Sequence, residues 1–128
     1  MGYNMHMANS EFFIVKENIP NVVKAIKDLL SKGREFGWVD SKNIKSTNDV
    51  SKIFMEWCYE VEFDAEMNIN RIWFIGEKLG DEIEMFKVIA PWVKAGSFIE
   101  MVGEDGSRWR WMFDGKTVKE KNAKVVWD

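Results

Sequence analysis

FIEMVGEDGSRWRWMF, running from Phe98 to Phe113, decides the fold of this chain. Two runs of large alternating residues flank Asp105-Gly106, a strong short-range hairpin signal. A type I′ turn there pairs Glu104 with Ser107 and Glu100 with Trp111. Paired residues share a face of the sheet. One face then carries Phe98, Glu100, Val102, Trp109, Trp111 and Phe113, and the other carries Ile99, Met101, Arg108, Arg110 and Met112. A slip by two residues leaves both faces unchanged.

Upstream, Glu11 to Lys16 holds Phe12, Phe13, Ile14 and Val15 in a row and reads as a first strand, apolar on both faces. Asn18 as cap and Pro20 in the first turn open a helix, with Val22, Val23, Ile26, Leu29 and Leu30 as its buried stripe and Gly33 just past its end. Arg34 to Ser46 is a polar connection with a short apolar island at Phe36–Val39, where a brief strand fits. Ser46 or Thr47 caps a second helix, whose stripe is Val50, Ile53, Phe54, Trp57 and Cys58. The pattern then turns to period two at Tyr59, Val61 and Phe63, and Ile69 to Ile75 returns as the second arm of a hairpin. Asp81 opens a third helix with Ile83, Phe86, Ile89, Ala90 and Val93 inward, and Pro91 predicts its end near Ala90. Asp114-Gly115 turns the chain again, and Thr117–Glu120 and Lys124–Trp127 read as closing strands.

Consecutive strands joined by hairpins predict an α+β domain. Its sheet is mainly antiparallel with about five to six strands, and two to three helices pack on one face. Residues 1–10 read as a poorly ordered leader or cloning remnant, and residues 11–128 as a single domain.

Composition narrows the function classes. The chain has 128 residues, 46% hydrophobic and 30% charged, with seven Trp, nine Phe and eight Met, which is the composition of a packed domain. A single cysteine, Cys58, rules out an internal disulfide framework and points to a cytoplasmic location. No apolar run is long enough to span a bilayer, so no membrane partner is expected. The net charge of −3 favours neither nucleic acid nor membrane by itself. Charge is uneven, however. Residues 60–84 hold eight acids and two bases, whereas residues 104–128 hold six bases and five acids.

No catalytic constellation emerges. Glu60, Glu62 and Asp64 alternate on one strand face, where they could hold a hard cation, act as acid and base, or imitate a nucleic-acid backbone; the solvated guard of an edge strand is the plainer reading. Gly76-Glu77-Lys78-Leu79-Gly80 joins a strand to a helix but lacks the phosphate-loop spacing, and Asp81, Glu82 and Glu84 would repel an anion there. Trp109 and Trp111 interleave with Arg108 and Arg110 as in single-strand nucleic-acid platforms, yet alternation sends the two residue types to opposite faces. Cys58 lies on an apolar stripe with no second Cys, and His6, the single histidine, lies in the leader. Neither metal nor cofactor is expected.

The phrases FIGEKLGDEIEMFKVIAPWVKAGSFIEMVGEDGSRWRWMF and EWCYEVEFD resemble a group of small uncharacterised proteins from Gram-positive bacteria and their phages or mobile elements. The resemblance covers roughly residues 11–120, with Gly76–Gly80, Ala90-Pro91, Gly103–Gly106 and Trp109-Arg110-Trp111 as its markers. It transfers no activity or catalytic residue. It implies an accessory role such as binding a host or defence protein.

Three helices cover one side of such a sheet, and either side left open is unusual for a surface. The expectation is therefore a non-enzymatic protein-binding module, acting on a partner protein or on itself as a homodimer. Its candidate binding residues are Phe98, Glu100, Trp109, Trp111, Phe113, Arg108 and Arg110. The alternatives are a nucleic-acid-binding or nucleic-acid-mimicking protein, and an enzyme working with carboxylates alone.

Overall fold

The Phe98–Phe113 hairpin forms, but around a three-residue loop. The computed structural model describes residues 3–31, 39, 41–78 and 80–123. Strands β4 (Phe98–Gly103) and β5 (Arg108–Phe113) pair antiparallel, and the Gly103 N–H donates to the Ser107 carbonyl at 2.8 Å. Within the loop only Gly106 has a positive φ, +83°. A type I′ turn needs two such residues, whereas a three-residue loop needs one, at the glycine. The register is therefore one residue away from the expected one: Glu100 faces Arg110, and Ile99 faces Trp111. A slip of one residue inverts a face. Ile99, Met101, Trp109, Trp111 and Phe113 point inward and are buried, while Phe98, Glu100, Val102, Arg108, Arg110 and Met112 point outward. The expected grouping of Phe98 and Glu100 with the tryptophans is thus overturned.

The fold is α+β and its sheets are antiparallel. Strand β1 (Met5–Glu11) lies against β4, and β6 (Val118–Asn122) against β5, giving the order β1-β4-β5-β6. Asp114 shapes the turn into β6, accepting from the N–H groups of Lys116 and Thr117 and from the Thr117 hydroxyl. The bonds from Thr117 and then Lys116 hold the Asp114 carboxyl at about 2. Strands β2 (Tyr59–Phe63) and β3 (Ile69–Phe74) form a separate hairpin. Bridges between Asn4 and Lys78 and between Ile14 and Ile69, with a Ser10 hydroxyl bond to the Ile72 carbonyl at 3.0 Å, set β3 beside β1. The six strands therefore follow one another as β2-β3-β1-β4-β5-β6, with a partly opened join between β3 and β1.

The expected leader is a structural strand. Met5 and Met7 alternate with His6 and Ala8, and the two methionines are buried. Conversely, Glu11–Lys16 is not a strand of its own. Phe12 and Ile14 anchor it in the core, and Ile14 exchanges two backbone bonds with Ile69. The domain therefore includes residues placed outside it by the sequence reading.

Helices follow local signals closely. Helix α1 (Ile19–Ser31) buries all five stripe residues, from Val22 to Leu30. Helix α2 (Ser41–Lys45) is short. Helix α3 (Val50–Glu56) buries Val50, Ile53 and Phe54, and Trp57 is buried just beyond it. Its cap is Asp49, which accepts from the Ser51 N–H at 3.0 Å, rather than Ser46 or Thr47. Cys58, in the left-handed region at φ 66°, ends the stripe half-buried. Helix α4 (Glu82–Ile89) stops where Pro91 removes a donor, and Ala90–Trp92 tightens into a 3-10 turn. The buried stripes of α1, α3 and α4 and the inward rows of the strands form one core cluster. Among the described elements, the outward side of the sheet carries no helix. The expected strand near 36–39 and the one over 124–127, with Gly33, fall wholly or almost wholly outside the described residues.

Candidate functional site

The helix-free side is built from residues that the strand period turns outward. On the four-stranded sheet, successive strands place Asn9, Glu100, Arg110 and Lys121 in one row, and Glu11, Phe98, Met112 and Lys119 in the next. His6, Val102 and Arg108 extend the surface. Arg110 Nε donates to the Glu100 carboxylate at 2.7 Å, and its guanidinium lies over the Phe98 ring at 4.3 Å. Arg108 approaches the other Glu100 oxygen at 4.0 Å. The two arginines thus share one carboxylate, which leaves an excess of positive charge that Lys119 and Lys121 extend to the β6 edge.

The β2–β3 hairpin has the opposite character. Glu60 pairs with Trp73 and Glu62 with Arg71, all four turned outward. Trp73 is 40% exposed and Ile75 46%, high values for large apolar side chains. The Arg71 guanidinium lies 5.4 Å from the Trp73 ring centre and 3.9 Å from Glu62. A shallow groove of about 170 Å³ lies between these four side chains. The run Ile72–Ile75 is thus apolar on both faces, as its composition indicates.

The candidate residues divide accordingly. Phe98, Glu100, Arg108 and Arg110 lie together on the open side. Trp109, Trp111 and Phe113 lie in the core, where Trp111 packs on Trp109 and Phe86, and Phe113 packs on Phe86. Glu60 and Glu62 are outward neighbours, but Asp64 leaves the stripe. It accepts from the N–H groups of Glu66 and Asn68 and closes the β2–β3 turn. Lys119, Lys121 and Trp73 belong to the open side and were missed as candidates. Their signal was present in the alternation Lys119-Glu120-Lys121 and in the unbroken apolar run around Trp73.

Among the described residues, one carboxylate is buried in the core. Glu82, 1% exposed, accepts from the Gly80 N–H at 2.7 Å and from the Tyr59 hydroxyl at 3.2 Å. Burial raises its carboxyl above the ordinary glutamate value, against the lowering effect of those bonds. A raised acid contributes most stability below its unfolded value, near about 4.3, and loses it as pH climbs through the folded value. Glu82→Gln keeps an acceptor for Gly80 without the charge. The variant should be more stable than the wild type at neutral pH, with the difference vanishing toward pH ~4. Urea unfolding across that range checks this.

Among the described residues, no group of His, Cys, Asp and Glu could hold a metal ion, and no helix is long and apolar enough to cross a membrane. No protein family, curated protein or solved structure matches this chain.

Proposed function

We propose that the chain is a non-enzymatic protein-binding module whose working surface is the helix-free side of the sheet. The observation that carries the reading is the outward side itself: exposed Trp73 and Ile75 and half-buried Phe98 and Met112, set among Arg71, Arg108 and Arg110. Aromatic residues, Met and Arg are the types enriched in protein–protein interfaces. Two features favour a protein over a catalytic role or a phosphate backbone. Glu100 is held between two guanidiniums on an open strand surface, a poor position for a general acid or base. Arg110 is already engaged with Glu100 and Phe98, so it has little left for a phosphate.

Phe98→Asp with Met112→Asp tests the reading, because both side chains point away from the core. Immobilised wild-type and variant chains are exposed to an extract of the cells that encode them, and self-association is followed by light scattering. A protein, foreign or the chain itself, should bind the wild type and be lost from the variant. If nothing distinguishes the two, the reading fails. A salt-dependent shift of single-stranded DNA or RNA that the variant leaves intact would instead favour the nucleic-acid reading, through Lys119 and Lys121.

A further inference from the structure

We infer that the protein which fits the helix-free side is a second copy of this chain, docked face to face about a two-fold axis parallel to the strands. This rests on the protein-binding reading above and names its partner.

Charge is segregated across that side. The four-stranded sheet ends at β6, and the β2–β3 hairpin, bridged beside β1, ends at β2. Edge β2 turns Glu60 and Glu62 outward, and edge β6 turns Lys119 and Lys121 outward, with Arg108 and Arg110 behind them on β5. Each pair is spaced by two residues, so each presents two like charges about 6–7 Å apart along its strand. Stacking lysine edge on lysine edge would set like charges together. An axis along the middle of the six strands, between β1 and β4, does the reverse. It lays the Glu60–Glu62 edge of each copy over the Lys119–Lys121 edge of the other. The contact closes on itself, as an isologous dimer must, and the complementary charge pattern occurs twice. The same operation brings the middle of the surface, where Phe98 and Val102 lie among His6, Asn9, Glu11 and Glu100, against its own counterpart. Local complementarity of this kind lets copies of a chain with net charge −3 attract one another.

Sedimentation of the full chain tests the inference. The wild type should dimerise at about 0.05 M salt and dissociate toward about 0.5 M, where exposed charges are screened within a few ångströms. Lys119→Glu with Lys121→Glu, and separately Glu60→Lys with Glu62→Lys, should each weaken the dimer by about a hundredfold or more. An equimolar mixture of the two variants should sediment as a dimer, because both edge contacts are restored. Circular dichroism reports whether each variant folds. Should one not fold, the neutral changes Lys121→Gln and Glu62→Gln should give smaller losses in the same direction. A wild type that stays monomeric at low salt, reversed variants that still dimerise, or a mixture that does not recover would overturn the inference. A monomeric wild type that still captures a foreign protein through Phe98 and Met112 would remove the second copy and leave the protein-binding reading standing.

Discussion

Trp111→Ala is expected to cost about 3–5 kcal/mol of folding stability, and Phe98→Ala no more than about 1. Both residues lie on the same hairpin and both are aromatic, but the one-residue register difference separates their fates. Trp111 is 1% exposed, with its ring centre 5.3 Å from that of Phe86 and 6.0 Å from that of Trp109. Its Nε1 donates to the Glu120 carboxylate at 3.0 Å, a bond that ties β6 to β5. Truncation leaves a large cavity and removes that tie. Phe98 instead lies on the outer surface under the Arg110 guanidinium, where truncation exposes little new apolar area. For a chain of this size, the Trp111 change corresponds to a fall in Tm of about 10–20 °C. Thermal and urea unfolding of the two variants side by side decides the register. Equal losses would mean that Phe98 shares the buried face.

Phe86→Ala is expected to destabilise the domain by a similar amount, about 3–5 kcal/mol. Phe86 is fully buried on α4. Its ring lies 5.4 Å from Tyr59 of the β2–β3 hairpin, and 5.3 and 5.9 Å from Trp111 and Phe113 of the four-stranded sheet. Among the described residues, the backbone bonds that join the two sheets are scattered, at Met5–Glu77 and Ile14–Ile69. Packing on this ring is therefore a main link between them. Beyond lost stability, the variant should unfold less cooperatively, with amides of β2 and β3 exchanging before those of β4 and β5. Hydrogen exchange measured strand by strand checks this. Uniform exchange in the variant would show that the join between β3 and β1 suffices without Phe86.

The candidate site was half legible. Arg108, Arg110, Glu60 and Glu62 could be found from charge and alternation, because exposure of a charged residue on a strand needs no knowledge of the partner strand. The apolar members were harder. Whether Trp109, Trp111 and Phe113 or Phe98 meets solvent depends on a single loop residue, and composition does not record that. Met5 and Met7 alternate visibly, yet the segment earns strand structure only when β4 lies beside it.

Local physics decided the presence of α1, α3 and α4 and the antiparallel α+β class. The buried stripes of α1 and α3, the stop at Pro91 and the turn residues act over a few positions, within reach of the sequence itself. Tertiary structure decided which face of the sheet is bare. Asp105-Gly106 suits loops of two and of three residues, and contacts from the chain's start select between them. The Glu104 N–H donates to the Asn4 carbonyl at 2.8 Å, the Asn4 N–H donates to the Glu104 carboxylate at 3.0 Å, and the Tyr3 hydroxyl bonds Asp105. These partners lie about a hundred residues upstream, so no local pattern could reveal them. Because strand side chains alternate, that distant grip on one turn determines whether tryptophan or arginine faces the solvent.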